Sequence, residues 1–153
     1  MTKHQGFTMI ELVVVLAIIV LLMAVVVTPF RAFRNSKALD TTSEETLALL
    51  SEARGSTLSA KDGYRYGVHF ESSQAVLFRG DTYSSGDTTN KAITLDNALE
   101  FSSISLAGGG SEVVFDRLTG KTTQSGSVVV RIKSDTSKTR TITIGGTGVA
   151  TGS

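Results

Sequence analysis

A chain of 153 residues with fifteen lysines and arginines against fourteen acids carries almost no net charge, which excludes electrostatic steering of a polyanion over its whole surface. It contains no cysteine, so neither a disulfide framework nor a thiolate metal site is available, and packing must supply the stability. About ninety residues lie beyond the long N-terminal helix argued below, enough for one compact domain.

Residues 1–6, Met1-Thr2-Lys3-His4-Gln5-Gly6, form a short polar leader with one lysine, ending in glycine. From Phe7 to Phe30 the chain is almost wholly apolar, and Leu12 to Val27 contains no charge at all. At about 1.5 Å per residue that stretch spans roughly 36 Å as a helix, against about 30 Å for the hydrocarbon core of a bilayer. It is too long for one strand. Valine and isoleucine weaken a helix in water but are tolerated where lipid forces each backbone group to pair internally. The pattern predicts a membrane-crossing helix over 7–30.

Glu11 is the one acid in that run. A carboxylate at mid-span costs about 2.5–3.5 kcal/mol on insertion scales, and less near an end. Four residues from Phe7, it either lies at headgroup level or marks a pairing.

A secretory signal places its small-residue cleavage site after the apolar stretch, whereas Gly6 precedes it. The string Gly6-Phe7-Thr8-Met9-Ile10-Glu11, followed by apolar residues, resembles the class III leader of type IV prepilins and type II secretion pseudopilins. That resemblance implies a prepilin peptidase that cuts between Gly6 and Phe7 and N-methylates Phe7. It implies membrane lipid around the helix before assembly. It also implies an inner-membrane assembly platform, and other pilin or pseudopilin subunits around the helix afterwards. Glu11 of an incoming subunit is then the counter-ion for the Phe7 amine of its neighbour, an amine that would be costly to bury alone. Removing the leader with Lys3 leaves fourteen basic and fourteen acidic residues, a neutral mature chain.

The resemblance implies a cytoplasmic N-terminus and an extracytoplasmic C-terminal domain. Arg31, Arg34 and Lys37, just past the span, favour the opposite orientation by count of positive residues. Pro29, without an amide hydrogen, predicts a kink. Over 31–60 the pattern becomes amphipathic: Phe33, Leu39, Thr46, Leu47, Leu50, Ala53 and Leu58 recur mostly at three, four and seven, with stop signals at Gly55 and Asp62-Gly63.

From Tyr64 the texture changes to short alternating runs. Strands are predicted at Tyr66 to Phe70, Ala75 to Phe78, Glu112 to Phe115, Ser127 to Ile132 and Thr139 to Ile144, with one or two more between Ile93 and Ala107. Ser-, Gly- and Asp-rich turns separate them. The fold class is α+β: a long N-terminal helix packed through its second half on an antiparallel β-sheet domain over 61–153, a type IV pilin-like lollipop. Three stretches are similar to the GspH/FimT-type pseudopilin layout: Ala53-Arg54 near the helix end, Phe115 to Gly120, and Arg140 to Ile144 followed by Gly145, Gly146 and Gly148.

Catalytic chemistry finds little support. His69 is the only histidine outside the leader, and Gly108 to Gly110 and Gly145 to Gly148 lack the lysine of a phosphate loop. No cofactor is expected. Asp81, Asp87 and Asp116 are scattered rather than gathered into a twelve-residue calcium loop. Arg131, Lys133, Lys138 and Arg140 form a basic cluster along the sequence that could meet the phosphates of a nucleic acid. Three readings follow: a structural subunit of a type IV pilus or secretion pseudopilus, a DNA-binding minor pilin, or an unprocessed single-pass anchor carrying a β domain.

Overall fold

The computed structural model describes residues 6–153, apart from the side chains of residues 24–29; the leader up to Gln5 and the kink expected at Pro29 therefore lie outside the described residues. The described elements are one long helix, α1 (Met9–Leu58), a short 3-10 turn (Lys61–Gly63) and eight strands. The strands are β1 (Tyr66–Phe70), β2 (Gln74–Arg79), β3 (Lys91–Thr94), β4 (Leu99–Leu106), β5 (Glu112–Val114), β6 (Gly126–Ile132), β7 (Asp135–Ile144) and β8 (Ala150–Gly152). Two compact units divide the chain at Arg34 and Asn35.

In the second unit the strands form two antiparallel four-stranded sheets, in the orders β3-β2-β1-β5 and β4-β6-β7-β8. Alternation makes β6 a core strand: Val128, Val130 and Ile132 are buried, while the residues between them are partly exposed. Cross-strand partners share a face, so β7 lays Ile142 opposite Val128 and Ile144 opposite Gly126. In the first sheet β2 is buried on both faces. Ala75 and Leu77 enter the main core, while Phe78 lies across Gly67 on β1 and meets the Tyr83 ring edge-on at 5.8 Å. A Cβ at Gly67 would fall 2.6 Å from the Phe78 ring, so that glycine is what lets the aromatic lie flat on the sheet.

The part of α1 in this unit buries Leu39, Thr42, Ser43, Thr46, Leu49, Leu50, Ala53 and Thr57, one face of a helix by spacing. Four of these are hydroxyl residues, and their burial has a local reason in two cases. Thr46 Oγ1 donates to the Thr42 carbonyl at 2.7 Å, and Thr57 Oγ1 to the Ala53 carbonyl at 2.9 Å. Thr57 then accepts the Tyr66 backbone N–H at 2.9 Å, which ties the start of β1 to the helix. Replacing Thr57 by the isosteric Val should cost about 1–3 kcal/mol in urea unfolding, because a buried amide loses its acceptor; an unchanged midpoint would refute the tie.

Several expectations are corrected. Phe33 and Leu58, assigned to the apolar face of α1, are exposed. β7 starts at Asp135, four residues before the predicted Thr139, because its polar half still pairs with Arg131 and Ile132 in the hairpin. β8, beyond the last predicted strand, pairs Ala150 to Gly152 with Ile144 to Ile142.

Candidate functional site

The N-terminal segment begins with a helix cap. The Thr8 hydroxyl accepts the Glu11 N–H at 3.3 Å, and the Glu11 carboxylate accepts the Thr8 N–H at 3.3 Å, the reciprocal pattern of a capping box. The carboxylate also lies where the positive end of the helix dipole favours it. Glu11 is therefore held by its own helix start while still reaching solvent, and so can take a second, cationic partner. The capping box is readable from the Thr-x-x-Glu spacing alone.

Every residue from Gly6 to Met23 is exposed, with Phe7 82 % and Met9 89 % accessible. A helix that leaves this much apolar surface uncovered needs lipid or other helices around it. Among the described residues no helix is long and apolar enough to cross a membrane; the apolar sequence runs on through Ala24 to Val27, whose side chains are outside the description.

In the second unit, residues from all three of the looser stretches converge. Arg54 Nε donates to the Gly120 carbonyl at 3.1 Å, and Gly148 lies directly against that same carbonyl. Ala53 and Phe115 are fully buried beside them in the core. The junction fastens α1 to the loops after β5 and β7.

The four basic residues are not brought together on one face. Arg131 is paired with Thr139, and Val130 with Arg140, so the two arginines stand on opposite faces of the sheet. Arg131 forms an ion pair with Glu100 at 2.7 Å and Arg140 with Asp40 at 2.7 Å. Lys133 donates to the Asn97 carbonyl at 3.1 Å and Lys138 to the Ser36 hydroxyl at 3.3 Å. Two of the four charges thus already have a carboxylate.

The scattered carboxylates are likewise engaged. Asp81 and Asp116 share Arg65, at 3.4 and 3.1 Å. Asp87 accepts from both the N–H and the hydroxyl of Thr89, which holds its carboxyl below the usual range. Among the described residues no group of His, Asp and Glu is arranged to hold a metal ion. His69 stacks on Tyr83 at 4.1 Å, with Glu71 and Glu112 at 3.8 and 4.0 Å from its ring nitrogens.

A capped, apolar N-terminal helix whose later turns pack on antiparallel sheets is the architecture of type IV pilin-like proteins. Residues 1–27 match the family model described as the prokaryotic N-terminal methylation motif. The fold is similar to that of the type IV minor pilin FimU of Pseudomonas aeruginosa strain PAO1, with a TM-score of 0.57 and 14 % identity over 75 % of this chain and 92 % of that one. At that identity the likeness speaks for the fold alone. No curated protein matches the sequence. The motif is thus the N-terminal methylation one, and the fold is like that of a type IV minor pilin.

Proposed function

We propose that the chain is a structural subunit of a type IV pilus or type II secretion pseudopilus. It is made as a precursor, cut between Gly6 and Phe7 by a prepilin peptidase and N-methylated at Phe7. The helix over 7–30 holds it in the inner membrane, N-terminus in the cytoplasm and β domain outside, until a platform transfers it into the filament. There it packs against other subunits, with Glu11 facing the Phe7 amine of a neighbour. The observation that carries this reading is the exposed apolar helix directly behind a capped Glu11 and a Gly6-Phe7 junction. A membrane-crossing helix alone would explain the apolar surface but not the methylation motif.

Mass spectrometry of the protein isolated from cells with an active prepilin peptidase tests it. The expected mature chain starts at a monomethylated Phe7. A chain retaining residues 1–6 would instead be the unprocessed anchor.

A further inference from the structure

Among the described residues of the second unit, the large apolar side chains left exposed are Leu58, Tyr64, Leu118 and Val149, and they share one end of the unit. A Cβ at Gly120 would lie 3.1 Å from Leu58, and the Gly120 carbonyl lies against Gly148, next to Val149. Leu118 is two residues from Gly120, and its neighbour Arg117 shares a shallow cavity with Tyr64. Such an end is apolar at its centre.

Leu118 is the telling residue. It is 94 % exposed and sits at φ +69°, a left-handed conformation that disfavours any residue with a Cβ. The loop does not give way. Gly120 N–H donates to Asp116 at 2.8 Å, Asp116 N–H to Lys121 at 2.7 Å, and Arg54 grips the Gly120 carbonyl. A large apolar side chain held rigidly outward on a strained backbone loses little further freedom on binding, which suits an anchor for a protein contact.

The rim says what it meets. Asp81 and Asp116 share the single charge of Arg65 and Asp62 accepts from the Tyr66 hydroxyl, whereas Arg117 and Lys121 form no ion pair among the described residues and the Lys61 ammonium faces the Tyr66 ring at 6.0 Å, so the four cations outnumber the three acids. The same chain carries the complement. On the exposed side of α1, Glu44 and Glu45 stand next to exposed Ala48, again without an ion pair among the described residues, whereas Asp40 and Glu52 are taken by Arg140 and Lys91.

We infer that the Leu118 end of one subunit docks on the Glu44–Ala48 stretch of α1 in a second copy of this chain. The two surfaces differ, so the contact is heterologous and propagates head to tail rather than closing a dimer. This deepens the proposed filament function and rests on it.

The absence of cysteine allows a direct test in whole cells. A chain carrying both Leu118→Cys and Ala48→Cys should give, on oxidation, a ladder of dimers, trimers and longer species. Mixing the two single variants should give dimers only, and either single variant none. Dimers from Leu118→Cys alone, an adduct with a protein of different mass, or no ladder at normal protein level would each overturn the inference. In parallel, Arg117→Glu with Lys121→Glu should lower the amount in sheared fibres about tenfold, and adding Glu44→Lys with Glu45→Lys should restore it. Failure of that restoration also counts against the contact. Wild-type chain missing from the fibres is a separate result, and bears on the filament reading alone.

Discussion

Gly148→Ala should unfold at markedly lower urea than the wild-type chain, with a loss of about 3 kcal/mol or more in the full-length protein held in detergent. Gly148 has φ +78°, where alanine alone costs about 1–2 kcal/mol. Its new methyl would also overlap the Gly120 carbonyl oxygen and approach Arg54 Nε to 3.0 Å. Neither neighbour can step aside cheaply, because Arg54 is bonded to that same carbonyl. Gly110→Ala is the control: it has no atom within 4 Å of the added carbon and should shift stability by less than about 0.5 kcal/mol. Tyrosine fluorescence can follow both, since the chain has three tyrosines and no tryptophan. Equal midpoints for the two variants would mean that the loops after β5 and β7 are not in contact.

The second large effect is expected at Glu11, where two substitutions separate two roles. Glutamine can retain the reciprocal bond to Thr8, since either Glu or Gln serves at that position of a capping box, but it carries no charge. Alanine loses both. A lost cap costs about 0.5–2 kcal/mol locally. An unpaired amine among packed helices costs several kcal/mol more. If Glu11 serves as counter-ion, Glu11→Gln and Glu11→Ala should be equally absent from sheared fibres, at least tenfold below wild type, while both remain in the membrane fraction. Incorporation of the glutamine variant at wild-type level would leave capping as the whole role of Glu11.

Much of this architecture was legible in the amino-acid order because burial there follows period. Val128, Val130 and Ile132 alternate cleanly, and β6 lies within a residue of where alternation puts it. β8 escaped because Ala150, Thr151 and Gly152 offer no alternation; pairing to β7 alone makes them a strand. The buried face of α1 was half hidden for a different reason. Thr42, Ser43 and Thr57 look like solvent positions, and their inward placement depends on bonds that no pattern displays, such as that of Thr57 to the preceding turn. The basic residues near the C-terminus look like one cluster in linear order. Only the strand register, with Arg131 opposite Thr139 and Arg140 opposite Val130, separates the two arginines onto different faces. Glu11 stands out in any reading, yet a lone acid in an apolar run draws attention to charge and away from the hydroxyl three residues earlier.

The chain changes sheet three times. After β1, β2 and β3 it crosses to lay down β4, returns to add β5 beside β1, and crosses again for β6, β7 and β8. Neither sheet is therefore a contiguous stretch of sequence, and no single cut yields two halves that each retain a full set of neighbours. An engineer wishing to insert a tag or epitope is confined to the bends, such as the stretch from Ser84 to Asn90, since any swap of a whole segment would take one layer's edge along with the other's interior.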